Sequence, residues 1–187
     1  MFLVNDLIAL LAANLILTQA LGTSTLFIAA GSRKNLVGTA FMITIFTFTG
    51  SVSAYFADIL LPEKYSDFKL LIYVVSIGIL YVILLSALYF ISRINFENSR
   101  KYIHLSVFNC AVMGTLLTVS GRSSENPSIT EYMSAGLEAG IGFIISALIL
   151  TAAYRKLNSA KVPAAFRGFP AMIIYLGIIS MAVYSLI

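Results

Sequence analysis

Charge is what this chain has least of. Of its 187 residues only 11% are Asp, Glu, Lys or Arg, while 59% are apolar and the mean hydropathy is +0.94. A soluble domain carries roughly a quarter charged residues to cover its surface, so a water-soluble globule is excluded. The high apolar content excludes intrinsic disorder as well, because disorder needs low hydrophobicity. Cysteine is almost absent. The single Cys110 rules out an internal disulfide, and any zinc or iron–sulfur site complete within the chain. The sequence has no P-loop, no H-E-x-x-H, no nucleophile elbow and no strand-borne G-x-G-x-x-G. Its one histidine and one cysteine are not spaced as a nucleophile pair. The short runs of alternating polarity that build a membrane β-barrel are missing too. The small net charge of +4 reads as loop charge at a membrane surface, not as a nucleic-acid footprint.

What is present is a series of six long apolar runs, at about residues 2–30, 36–61, 70–91, 102–120, 134–154 and 168–187. A helix needs about 20 such residues to cross a hydrocarbon core of ~30 Å, so the class is an all-α integral membrane protein with six spans. The first run has no basic leader; Asn5 and Asp6 stand where Lys or Arg would be expected, and it reads as a retained span. The loops after runs one, three and five hold nine basic residues (Arg33, Lys34, Arg93, Arg100, Lys101, Arg155, Lys156, Lys161, Arg167) against three on the other side (Lys64, Lys69, Arg122). The positive-inside rule then puts those loops in the cytoplasm and both termini outside.

Six spans divide into residues 1–92 and 93–187, three each. An odd number per half makes the halves face opposite ways, the inverted-repeat plan of many transporters. The first run is longer than a straight crossing needs and contains Gly22-Thr23-Ser24-Thr25, so span one is expected to break there. Irregular backbone at membrane depth is tolerated only where protein buries it or it lines a cavity. Asn109-Cys110 is the matching feature of span four. Cys110 lies eight residues beyond Tyr102 and Ser24 nine before Arg33, similar depths near the membrane centre. Mid-depth polar groups at corresponding places in two halves point to a transporter-type site.

Three segments carry a family resemblance. Asn14-Leu15-Ile16-Leu17-Thr18-Gln19-Ala20-Leu21-Gly22 followed by Ser32-Arg33-Lys34, then Asn109-Cys110-Ala111-Val112-Met113-Gly114, then Val162-Pro163-Ala164-Ala165-Phe166-Arg167-Gly168 together resemble the RnfA/NqrE family. The resemblance implies a membrane subunit of an Rnf- or Nqr-type electron-transport complex that couples redox chemistry to Na⁺ or H⁺ translocation. It implies an oppositely oriented homologue (RnfE/NqrD-like) as partner, flavoprotein and iron–sulfur subunits nearby, and a mid-membrane [2Fe–2S] cluster held by two cysteines from each homologue. Cys110 matches the second of these cysteines. At the first, two residues after Gly22, this chain has Ser24, so it departs from the family by one thiol. Asn14, Gly22 and Asn109 are expected to support the broken helices.

Other polar residues in the spans carry weaker signals. Thr44, Thr47, Ser51, Ala54 and Asp58 share one face of span two, either as a packing stripe or as a wet path. Asp58 and Glu138, near span ends, are the candidates for a cation path. Gly136 and Gly140 form a G-x-x-x-G pair for close helix contact, within the chain or between subunits. His104 is expected to be solvated. Two other readings remain open: a six-span substrate-binding component of a vitamin-type transporter, with ATPase partners and no redox centre, and a scaffold paralogue that keeps only the fold.

Overall fold

The computed structural model of the chain describes residues 14–61, 67–91, 93–122 and 127–185. Asn5, Asp6 and the start of the first run lie outside the described residues, as does Lys64. Eight helices are found among the described residues, and no strand: α1 (Leu15–Gln19), α2 (Thr23–Ala30), α3 (Arg33–Leu60), α4 (Lys69–Ile91), α5 (Arg93–Val107), α6 (Cys110–Arg122), α7 (Ile129–Leu157) and α8 (Phe169–Tyr184).

The long apolar runs became the long helices. α3, α4 and α7 have 28, 23 and 29 residues, which at 1.5 Å per residue is roughly 34–44 Å. Each is long and apolar enough to cross a membrane; α5 from Ser99 onward and α6, bent by 45° at their break, reach that length only when taken together. α8 is apolar but shorter, at 16 residues. The order broken pair, long helix, further helix therefore occurs twice along the chain.

Two expectations need correction. The stretch from Arg93 to Lys101 is not a loop but the first turns of α5. Arg, Glu and Lys are good helix formers, and no Gly or Pro interrupts them, so their charge marks where α5 leaves the apolar zone without ending it. The break in the first run also comes earlier than residues 22–25. It lies at Ala20 to Gly22, and Thr23, Ser24 and Thr25 are already helical. Gly22 (φ +78°) and Ala20 (φ +55°) are both left-handed, and glycine is the residue that tolerates this at least cost.

α3 and α7 form the central beam. Their backbones touch because α7 presents glycine where α3 presents small residues. A Cβ at Gly136 would stand 2.8 Å from the Phe48 Cα and the Thr47 carbonyl oxygen, and one at Gly140 would stand 2.7 Å from Thr44 Cγ2. The G-x-x-x-G pair is thus spent within the chain. The Thr44–Thr47–Ser51–Ala54 stripe is its counterpart on α3, with Thr47, Ser51 and Ala54 fully buried.

Two apolar cores flank the beam. In one, Ile16, Leu17, Leu26 and Phe27 of α1 and α2 pack with Met172, Leu176 and Val183 of α8. In the other, Ile103 and Val107 of α5 and Val112 and Leu116 of α6 pack with Tyr73 and Ile77 of α4. Each broken pair is thus covered by the last helix of the other half of the chain, so the halves interlock as one body.

Candidate functional site

The two helix breaks meet. Gly22, between α1 and α2, donates its backbone N–H to Cys110 Sγ, the first residue of α6, at 3.0 Å. A Cβ at Gly22 would lie 2.9 Å from both Ala111 Cβ and Asn109 Oδ1, so nothing but glycine fits this crossing without displacement. Leu21 lies over Gly114 of α6 so closely that a side chain there would collide with it. The N-terminal ends of α2 and α6 therefore come together where the breaks cross. Free N–H groups at helix N-termini favour negative charge, and the Cys110 sulfur sits among them, exposed.

An asparagine supports each break. Asn14 Oδ1 accepts from the Ile16 N–H at 3.0 Å and caps α1, while its Nδ2 donates to the Gly142 carbonyl and to Ser146 Oγ, both at 2.9 Å, on α7. Ser180 of α8 holds the same turn by donating to the Leu17 carbonyl oxygen. Asn109 Oδ1 caps α6 through the Ala111 N–H at 2.9 Å; its buried Nδ2 has no partner among the described residues. Replacing Asn14 by Ala removes one cap and both bonds to the beam. It is expected to lower stability by about 2 kcal/mol, readable as a drop in the thermal midpoint of the purified protein. Asn14→Ser, which keeps a capping oxygen but lacks the Nδ2 donor and its reach to α7, serves as a partial-loss comparison.

Ser24 is exposed on the first turn of α2. It lines a mostly apolar cavity of about 290 Å³ with Ile16, Phe27, Phe169, Leu176 and Ser180. Cys110 is not among the lining residues, so the cavity does not join the two positions.

Asp58 and Glu138 are also kept apart. Asp58, at the end of α3, is almost fully buried, its side chain 6% exposed. Tyr73 and Tyr132 each donate a hydroxyl hydrogen to it at 2.6 Å, and Lys69 pairs with it at 3.1 Å. Glu138 instead faces a polar cleft of about 200 Å³ between α6 and α7, with Glu131, Ser134, Thr115, Thr118 and Arg122. Tyr73, Tyr132 and Lys69 carried no signal in the sequence beyond being polar groups near the ends of apolar runs. Their convergence on one carboxylate is tertiary. His104 is exposed, yet both its ring nitrogens are engaged: Arg100 Nε donates to Nε2 at 3.1 Å, and Nδ1 lies 2.8 Å from the Tyr81 hydroxyl.

The described residues contain no group of three or more His, Cys, Asp or Glu able to hold a metal ion. Comparison with known proteins finds a match over residues 5–187 to a family described as Rnf-Nqr subunit, membrane protein. The chain is 25% identical over 174 residues to an ion-translocating oxidoreductase complex subunit of Pseudoalteromonas atlantica, covering 92% of this chain and 89% of that one. It is 26% identical over 177 residues to the corresponding subunit of Alcanivorax borkumensis, with 93% and 90% covered. The equivalent protein of Actinobacillus pleuropneumoniae is 24% identical over 171 residues, with 90% and 87% covered.

Proposed function

Because the chain belongs to the Rnf-Nqr family of membrane subunits, we propose that it is a membrane subunit of a redox-driven, Na⁺- or H⁺-translocating electron-transport complex. It works there as one half of a membrane core, against a homologous subunit of opposite orientation, with flavoprotein and iron–sulfur subunits attached. The observation that carries this reading is the tip-to-tip crossing of two broken helices with Cys110 exposed at it. The arrangement suits alternating access. The first break is tied to the beam by Asn14, whose Nδ2 donates to the Gly142 carbonyl and to Ser146 Oγ of α7. Among the described residues the two tips meet through the Gly22 N–H···Sγ bond to Cys110 and through close packing of Gly22 on Ala111 and Leu21 on Gly114.

A [2Fe–2S] cluster shared between two such subunits asks two thiolates of each. This chain's donor set fits one. Cys110 has what a cluster ligand needs: an exposed sulfur, an N–H donor on it, and a helix N-terminus behind it. Ser24 offers a hydroxyl, a harder and far less acidic donor than a thiol, and lines a different cavity. On this reading Cys110 alone is the chain's contribution to a mid-membrane electron carrier. Glu138, with Glu131, gathers cations at the mouth of the α6–α7 cleft.

Affinity purification through a tag on this chain tests the reading. Recovery of flavoprotein and iron–sulfur subunits, together with a second six-span chain, is the expected result; recovery of paired ATPases would replace it by the transporter reading. In the purified complex, Cys110→Ala is expected to lower iron and acid-labile sulfide by the content of one cluster, about two of each per complex. Unchanged iron removes Cys110 from the ligand set.

A further inference from the structure

The cluster around Asp58 has a shape that its role as an ion pair does not account for. Four helices send oxygen atoms to one point: the carboxylate of Asp58 from α3, the hydroxyls of Tyr73 from α4 and Tyr132 from α7, and Ser120 Oγ from α6. Tyr73 and Tyr132 are fully buried and Ser120 is buried. The only positive charge among them is the Lys69 ammonium, 3.1 Å from Asp58 Oδ1 and 3.4 Å from Ser120 Oγ. Two tyrosine hydroxyls already occupy both carboxylate oxygens, so the lysine is not needed to give the carboxylate hydrogen bonds. What it supplies is charge. A carboxylate this buried is costly unless a cation compensates it.

The lysine is also the loosest member of the set. Its side chain is 31% exposed against 6% for Asp58, and its bond to Ser120 is long. A carboxylate with neutral hydroxyl oxygens around it is the donor set of a hard cation. Tyrosine and serine hydroxyls that donate one hydrogen keep lone pairs free for such an ion. We propose that the Asp58 cluster is a monovalent-cation site whose occupant in this structure is the Lys69 ammonium, tethered where a free Na⁺ or K⁺ would otherwise sit. Swinging Lys69 out to the surface empties the position for an ion from solution. That this exchange belongs to a translocation route rests on the function proposed above; the existence of the site does not.

The test therefore reads binding, not transport. The assembled complex is compared with its Lys69→Met, Lys69→Arg and Lys69→Met/Asp58→Asn variants by thermal unfolding, in sodium, potassium or choline chloride at equal ionic strength. The natural complex supplies the baseline for cation effects arising in other subunits. Relative to it, Lys69→Met is expected to gain about 3–5 °C, saturably, in sodium or potassium over choline. Lys69→Arg, which keeps a tethered cation, and the double variant, which has no carboxylate, are expected to gain nothing. The proposal is overturned if Lys69→Met behaves alike in the three salts, or if the double variant keeps the gain. It is overturned too if Lys69→Met fails to assemble in every salt, since an ion able to take the ammonium's place would have rescued it.

Discussion

Gly22→Ala is expected to lower the stability of the protein by about 2–5 kcal/mol, from two independent causes. The first is conformational: Gly22 has φ +78°, and an L-residue held there gives up about 1–2 kcal/mol. The second is steric. The new methyl would stand 2.9 Å from Ala111 Cβ and from Asn109 Oδ1. Neither neighbour can retreat, because Ala111 has no rotamer to change and Asn109 is held by its capping bond to the Ala111 N–H. Overpacking of this kind costs about 1–3 kcal/mol. The crossing must open, and the N–H···S bond to Cys110 opens with it. The expected readings are a thermal midpoint lowered by roughly 10 °C and faster reaction of Cys110 with a membrane-permeant maleimide. Gly121→Ala is the control. A Cβ there meets nothing within 4 Å, and the midpoint should move by no more than the equivalent of about 0.5 kcal/mol. A Gly22→Ala protein as stable as its parent would mean that the breaks do not cross as described.

Asp58→Ala is expected to be about as damaging, by a different mechanism. Removing the carboxylate leaves the Lys69 ammonium without a counter-charge, and strands the hydroxyls of two fully buried tyrosines. Lys69 is partly exposed and can turn its ammonium to water, so most of the cost lies with the tyrosines: each orphaned hydroxyl costs about 1–3 kcal/mol unless the cavity relaxes. Asp58→Asn should cost less, because the amide keeps one acceptor oxygen and the shape. Tyr73→Phe should cost least, about 1–1.5 kcal/mol, since it removes one bond and leaves the carboxylate its other partners. Thermal unfolding of the three variants should rank them in that order. Glu138→Ala, on an exposed position of the cleft, should change stability by under about 0.5 kcal/mol. An Asp58→Ala protein as stable as the Glu138 variant would show that the four-helix cluster does not hold the bundle together.

How much could be read from one dimension differs by element. The long helices were legible because hydropathy is a local property. α4 and α7 begin and end within a few residues of the runs that predict them, and α3 ends at the residue before the Leu61–Pro62 stop. The breaks were legible because their cause is local too: a glycine able to turn left-handed, and an asparagine able to cap the helix that follows. The error of about two residues at the first break has a local cause as well, since Ala20 adopts a left-handed conformation that its identity does not announce. Arg93 to Lys101 misled because charge was read as a loop signal, whereas charge ends an apolar run without ending a helix.

The candidate site was only partly legible, for a reason that can be stated residue by residue. Cys110 and Gly22 stood out separately, 88 positions apart, but nothing along the chain tells that the amide of one rests on the sulfur of the other. Asp58 drew notice as an ionisable group in an apolar helix. Lys69, Tyr73 and Tyr132 did not, because each sits near a helix end, where polar residues are ordinary. The glycine pair on α7 was ambiguous between a contact within the chain and one between chains, and only the facing Thr44 and Ser51 decide for α3.

By itself, then, the sequence determined the solvent this protein lives in, where its long apolar helices lie and, to within about two residues, where two helix breaks fall, because apolar run length and backbone permissiveness are properties of neighbouring residues. The tertiary structure decided how the breaks meet, with the Gly22 amide on the Cys110 sulfur, and it alone decided that each is covered by the last helix of the other half and that four helices converge on Asp58. Those are choices of partner, made by shape and charge complementarity between segments far apart in the chain.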